Sequence, residues 1–249
     1  MTTVLIMTDG MRPDALSLVN PPRIGALQAR SAYTLRATSV MPSVTLPCHA
    51  TIFYSVPPQR HGIMTNVWQP MARPLPGLVE QAHAAGRRCH FYHNWEPLRD
   101  LNRPETLDFA YFRNNSHTPH GDDAIAAVAA ATIGGDRPDF AFVYLGTIDI
   151  AGHAFGWMSD GYLRQIEVVD AAIGTILDSL TPEDTVLLQS DHGGHDRTHG
   201  ADSPEDMTIP WMIAGPGIRQ GHALQTSVSL LDTAPTLART LDLPVHPQW

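Results

Sequence analysis

Apolar residues in this chain come in short runs separated by longer amphipathic stretches, and that alternation predicts its elements. Six runs are short, apolar and β-rich: Val4–Met7, Tyr33–Ser39, Arg88–Tyr92, Asp139–Leu145, Thr185–Gln189 and Ile209–Ile213. Runs of this kind, bounded by turn residues, predict buried strands. Six other segments read as helices: Pro22–Arg30, Leu46–Tyr54, Pro76–Ala85, Asp122–Ala131, Tyr162–Leu180 and Leu230–Leu241. The clearest is the helix from Tyr162, where Ile166, Val169, Ile173, Ile176, Leu177 and Leu180 recur at helical spacing before Pro182 closes it. Strands alternating with helices predict an α/β sandwich of three layers, a mostly parallel central sheet with helices on both faces. Proline and glycine punctuate the chain evenly, with no linker, repeat or low-complexity tract, which predicts one domain over residues 1–249. The less regular stretch 68–120 leaves room for a small cap or for long loops.

In an open parallel sheet, ligands bind beyond the carboxyl ends of the strands. Asp9 follows the first predicted strand, Asp149 the fourth, and Asp191-His192 the fifth. Three carboxylates converging on one edge would repel one another, and bound cations are the usual remedy.

Composition narrows the chemistry. All 16 basic residues are arginine, so lysine general bases, Schiff-base chemistry and the GxxxxGK[ST] phosphate loop are excluded. A formal charge of −9 argues against a non-specific nucleic-acid coat. The two cysteines, Cys48 and Cys89, build neither a disulfide framework nor a four-cysteine zinc site. The longest strongly apolar stretch, 124–133, is too short to span a bilayer, and the chain starts without a signal-peptide pattern, so a cytoplasmic location is expected. The chain leaves its oligomeric state open. Its 13 histidines point instead to histidine-and-carboxylate chemistry.

Five segments could carry that chemistry. In Ser190-Asp191-His192-Gly193-Gly194-His195-Asp196-Arg197-Thr198-His199-Gly200, carboxylate and imidazole ligands suited to Zn²⁺ or Mn²⁺ alternate with glycines that let backbone fold round an ion. A solvated polar loop is the plain alternative. Asp149 and His153 stand four apart, able to face one ion from a helical turn, or to be a helix cap and a surface histidine. Asp9-Gly10 reads alone as a turn. Thr45 sits where a helix begins, with Pro47 in its first turn, and is either an N-cap or a nucleophile at a helix N-terminus. His61-Gly62-Ile63 and Asn66 follow in a loop that could bring an amide to the same pocket.

Together, Asp9-Gly10, Thr45-x-Pro47, His61-Gly62-Ile63-x-x-Asn66, Asp149-x-x-Gly152-His153, Ser190-Asp191-His192-Gly193 and His199-Gly200 resemble the alkaline phosphatase superfamily, and within it the type I phosphodiesterase / nucleotide pyrophosphatase branch. The resemblance runs from Asp9 to the Thr233–Thr236 stretch. It implies an alkaline-phosphatase-like fold with a reduced cap and two divalent ions, zinc first and manganese second. Asp149, His153 and His199 would hold one ion; Asp9, Asp191 and His192 would hold the other, with Thr45 bridging to it as nucleophile. Asn66 would contact a phosphate oxygen of a small phosphate ester. His195 could replace His199 as ligand or act behind it. The expected activity is hydrolysis of phosphodiesters or nucleotide pyrophosphates through a phospho-threonine. A phosphomonoesterase, a phosphonate hydrolase and an idle metal-binding relative are the alternatives. Thr45-Leu46-Pro47-Cys48-His49 lacks the C/S-x-P-x-R signature of sulfatases, and the absence of lysine counts against phosphonoacetate hydrolases. The 104 residues from Thr45 to Asp149 leave little room for the inserted domain of phosphosugar mutases.

Overall fold

The computed structural model describes residues 1–249. Eight strands form one sheet: β1 (Thr3–Thr8), β2 (Ala32–Thr38), β3 (Cys89–His93), β4 (Phe109–Phe112), β5 (Phe140–Leu145), β6 (Thr185–Gln189), β7 (Thr208–Ala214) and β8 (His222–Ala223). Their order across the sheet is β4-β3-β5-β1-β6-β7-β2-β8. All neighbouring pairs are parallel except the two that β7 makes, with β6 and β2. The mostly parallel three-layer sandwich read from the sequence is therefore the observed fold, with one reversed strand.

Strand alternation generates the layers. In β1, Leu5 and Met7 point into a core of 34 buried residues, while Val4 and Ile6 point into a second core of 26 on the opposite face. The first core is closed by helices α2 (Thr45–Tyr54), α4 (Leu78–Ala84) and α9 (Thr233–Thr240). The second is closed by α1 (Pro22–Ala29), α5 (Gly121–Asp136) and α7 (Asp160–Asp178). The predicted stripe of α7 lies on that second core, and Ser159 caps the helix by accepting from the Tyr162 N–H. Short helices α3 (Pro58–His61), α6 (Thr147–Phe155) and α8 (Pro204–Met207) lie in the connections between these elements.

The structure adds detail that periodicity did not carry. β4 is an edge strand whose residues are only half covered, so its pattern is weak. Residues 68–120 contribute α4, β3 and β4 to the body of the fold, with loops between them. The last predicted helix is divided into a 3-10 turn, Leu230–Asp232, and α9.

Candidate active site

β1, β5 and β6 are parallel neighbours, so the segments leaving their carboxyl ends gather on one edge. Asp9 directly follows β1, Asp191 and His192 follow β6, and α6 carries Asp149 and His153 just beyond β5. The turn after β1 needs its glycine. Gly10 has φ +69°, and a Cβ there would lie 3.1 Å from the Asp149 Cα. The Gly10 N–H donates to Asp191 Oδ1 at 3.2 Å, which ties the first turn to the third.

Thr45 is the first residue of α2, and it does not cap the helix. Val44 occupies the cap position without a side-chain bond, while the Leu46 N–H donates to Asn66 Oδ1 at 2.9 Å. The amide that the sequence placed near the pocket thus caps α2 from 20 residues away, and its Nδ2 donors remain for other work. The buried Thr45 hydroxyl lies 3.3 Å from His192 Nε2.

Each of three histidines is held by a backbone carbonyl at Nδ1: His153 by Arg197 at 2.9 Å, His192 by Gly193 at 2.8 Å and His199 by Ser43 at 2.8 Å. This bond fixes the ring and leaves Nε2 to face the cluster, the arrangement typical of metal-binding imidazoles. His153 Nε2 stands 3.5 Å from Asp149 Oδ2, and His199 Nε2 3.6 Å from Asp149 Oδ1. His192 Nε2 stands 3.2 Å from Asp9 Oδ1 and 3.5 Å from Asp191 Oδ2. Two groups have ligand atoms within 4.8 Å of one another, Asp149 with His153 and His199, and Asp9 with Asp149 and His192, so Asp149 faces both. His195 is elsewhere. Its Nδ1 bonds Asp206 Oδ1 at 2.7 Å, which raises its pKa, and the side chain is 36% exposed. Of the two alternatives left by the sequence, His199 is the one brought into the cluster.

Charge in this cluster is frustrated. Burial alone would raise Asp9, yet the adjacent His192 imidazole, with His49 and Tyr144, brings it to about 2. Burial and the Asp9 charge push Asp149 to about 7, and the same two causes raise Asp191 well above the carboxylate range. His192 rises to about 10 against its burial, held up by Asp191 and Asp9, while burial and the His192 charge lower His199 to about 3. Asp9 Oδ1, Asp149 Oδ1 and Asp191 Oδ2 are buried carboxylate oxygens with no hydrogen-bond partner. Orphaned buried oxygens beside aimed imidazole nitrogens form a donor set that fits divalent cations.

Residues the motifs did not mark complete the site. Tyr144 donates a hydrogen bond to Asp9 Oδ2. His49, kept neutral by burial at about 4, bonds the Thr45 carbonyl at 2.8 Å and lies 3.5 Å from Asp191 Oδ2. A cavity of about 70 Å³ opens on Thr45, lined also by Asp9, Asn66, Trp95, Ser116 and His153. No arginine lines it; Arg60, near the motif in sequence, donates to the Arg73 carbonyl instead. Ser116 and Tyr144 carry no spacing signal, because only the tertiary fold brings the Ser116 loop and the end of β5 to one pocket.

Residues 3–207 match the family model for type I phosphodiesterase / nucleotide pyrophosphatase. A phosphopentomutase of Anaeromyxobacter sp. (strain K) is 31% identical over 137 residues, 54% of this chain and 34% of that protein. Ectonucleotide pyrophosphatase/phosphodiesterase family member 1 of Homo sapiens is 25% identical over 217 residues, 77% of this chain and 23% of that protein. The chain spans about a third or less of the length of both. Among solved structures, murine ectonucleotide pyrophosphatase/phosphodiesterase 5 superposes with TM-score 0.84 at 16% identity, covering 99% of this chain and 96% of that one. A 2-O GAG sulfatase superposes with TM-score 0.79 at 14% identity, over 99% and 72% of the respective chains. At such identities these structures speak for the fold.

Proposed function

The chain belongs to the type I phosphodiesterase / nucleotide pyrophosphatase family, and on that premise we propose that it hydrolyses phosphodiesters or nucleotide pyrophosphates through a phospho-threonine on Thr45, with two divalent ions, zinc foremost. The observation that carries this reading is the Thr45 hydroxyl at the start of α2, 3.3 Å from His192 Nε2 and lining one cavity with Asp9, Asp149, His153 and His199. Asp149, His153 and His199 would hold one ion, and Asp9, Asp191, His192 and the Thr45 hydroxyl the other. When bound, such ions lower the pKa of a coordinated hydroxyl or water and withdraw charge from phosphoryl oxygens.

The chain's own residues supply the rest. Thr45 Oγ1 attacks phosphorus, forming an O–P bond as the bond to the leaving alcohol or phosphate breaks, and water then cleaves the threonine ester. The Nδ2 of Asn66, oriented by the bond from the Leu46 N–H to its Oδ1, donates to a non-bridging oxygen. Tyr144 orients Asp9, and His49 fixes the first turn of α2 beneath Asp191. The substrate is read as a small phosphate ester, a diester before a monoester because the cavity offers no guanidinium for a second negative charge. No helix is long and apolar enough to cross a membrane. Two buried, unpaired thiols accord with a reducing compartment, and the cytoplasm is the proposed location.

The test is turnover of bis(p-nitrophenyl) phosphate beside p-nitrophenyl phosphate by zinc-loaded protein, before and after chelation. Diester turnover lost on chelation and restored by zinc is the expected result. Turnover indifferent to chelators would overturn the reading.

A further inference from the structure

α6 delivers Asp149 and His153, and its own sequence supplies no cap. Gly146 stands at the cap position, where a side chain is sterically barred: a Cβ would lie 2.8 Å from Tyr144 Cε1 and 2.9 Å from Asn94 Oδ1. A helix start leaves backbone N–H groups unpaired, and an acidic residue in the first turn is drawn to them. Asp149 is the acidic residue in that turn, yet its Oδ1 is buried without a partner and its carboxylate faces His153 and His199.

The carboxylate that does bind this helix start comes from α5. Asp122, fully buried, accepts the Gly146 N–H at 3.1 Å on Oδ1, and the Thr147 N–H at 3.2 Å and hydroxyl at 2.6 Å on Oδ2. Asn94 Nδ2 donates to Oδ1 at 2.6 Å. Gln165 Nε2 braces the arrangement, donating to Thr147 Oγ1 at 2.8 Å and to the Pro119 carbonyl at 2.7 Å. Every bond to the Asp122 carboxylate comes from Asn94 or from Gly146 and Thr147 at the start of α6, three and two positions before Asp149.

We infer that Asp122 is a positioning residue for the metal-binding arm of α6: its carboxylate caps the helix in place of Asp149, which is thereby left free to serve an ion together with His153 and His199. The inference rests on the two-ion reading given above. Asp122 touches neither an ion nor substrate; it acts through Gly146 and Thr147. Partners one shell behind a ligand set typically change metal affinity about 10- to 100-fold when altered.

Zinc titration of the whole chain against a chromogenic chelator tests this in two backgrounds. His192→Ala leaves the Asp149–His153–His199 arm, and His153→Ala leaves the Asp9–Asp191–His192 arm. Asp122→Asn, which puts an amide N–H₂ where an acceptor is needed, should weaken zinc about 10- to 100-fold in the first background, where α6 supplies both Asp149 and His153, and by a clearly smaller factor in the second, where α6 supplies Asp149 alone. Thr147→Val removes one of the bonds to Asp122 and should weaken the same arm about three- to tenfold, while Thr147→Ser should restore it. The Thr147 pair carries the test if Asp122→Asn does not fold. Equal weakening in both backgrounds would make Asp122 a general structural residue and overturn the inference, as would no weakening. An unsubstituted chain that binds no zinc overturns the two-ion reading and this inference together; two ions bound without a selective loss overturns the inference alone.

Discussion

Single atoms decide what Thr45 and the loop histidines are for. A capping threonine would bond the backbone of its own first turn, but that work falls to Asn66, leaving the Thr45 hydroxyl to the cavity. Thr45→Ala should therefore abolish turnover while thermal stability stays close to that of the unsubstituted protein and both ions still bind, the one beside Thr45 more weakly, and Thr45→Ser should retain measurable activity. Loss of a cap alone would cost about 1 kcal/mol of stability and leave catalysis standing. Near-normal rates for Thr45→Ala would mean direct attack by water. His199 and His195 make a second contrast, because only His199 has its Nε2 at Asp149. His199→Gln should lower kcat/KM more than about 100-fold, beyond the roughly 10- to 100-fold that altering a partner behind the ligands costs. His195→Gln should stay within about twofold of the unsubstituted enzyme and change stability instead. Asp206 holds the His195 pKa above its ordinary value. The pair therefore stabilises fully below the unfolded value of about 6.5, and that contribution is lost as pH rises through the folded pKa. Urea midpoints from pH 6 to 9 should fall less steeply in His195→Gln; unchanged slopes would remove the ion pair from the account.

At the scale of elements, legibility followed burial. β1, β5 and β6 are covered on both faces, so they read as continuous apolar runs, and α7 carries one long stripe. β4 and β8 lie at the sheet's two edges, one half-covered and the other two residues long, and neither offers a period. α6 escaped because its start is capped from another helix, leaving no local signal apart from Asp149 and His153 four apart. The motif residues were legible as a group because the segments that leave parallel strand ends converge on one edge. Tyr144, Ser116 and Asp122 were not, since β5, the 113–120 loop and α5 meet at the site only in the folded chain. The turn between β1 and the cluster gives a test at this scale. Gly10→Ala must adopt φ near +69° and place a methyl against Asp149. A cost of about 1–3 kcal/mol in unfolding free energy is expected, together with weakened zinc binding. Unchanged stability and metal affinity would mean that the turn relaxes freely.

The whole molecule combines a net charge of −9 with 16 arginines, and none of those arginines lines the cavity that holds Thr45. Several guanidinium groups are instead structural: Arg12 bonds Asp14 and the Gly194 carbonyl, Arg137 pairs with Asp184, and Arg88 binds carbonyls at the end of α5. Beyond the imidazoles, the side-chain donors left free on the cavity wall are neutral, the Asn66 amide and the Ser116 hydroxyl among them, the latter with no partner in the fold. A dianionic monoester gains more than a monoanionic diester from a nearby guanidinium, and little extra from neutral amides and hydroxyls. The kcat/KM for aryl diesters or nucleotide anhydrides should therefore exceed that for the matching monoesters. Asn66→Ala should lower mainly kcat, because the oxygen it serves gains charge in the transition state, and a bond of about 1–3 kcal/mol there corresponds to roughly 5- to 150-fold. Steady-state kinetics on matched diester and monoester pairs check both statements. A monoester preference of tenfold or more would require an arginine to swing into the cavity, with Arg60 first in line once released from the Arg73 carbonyl. Arg60→Ala would then erase that preference, whereas in the diester enzyme it should leave the ranking of substrates untouched.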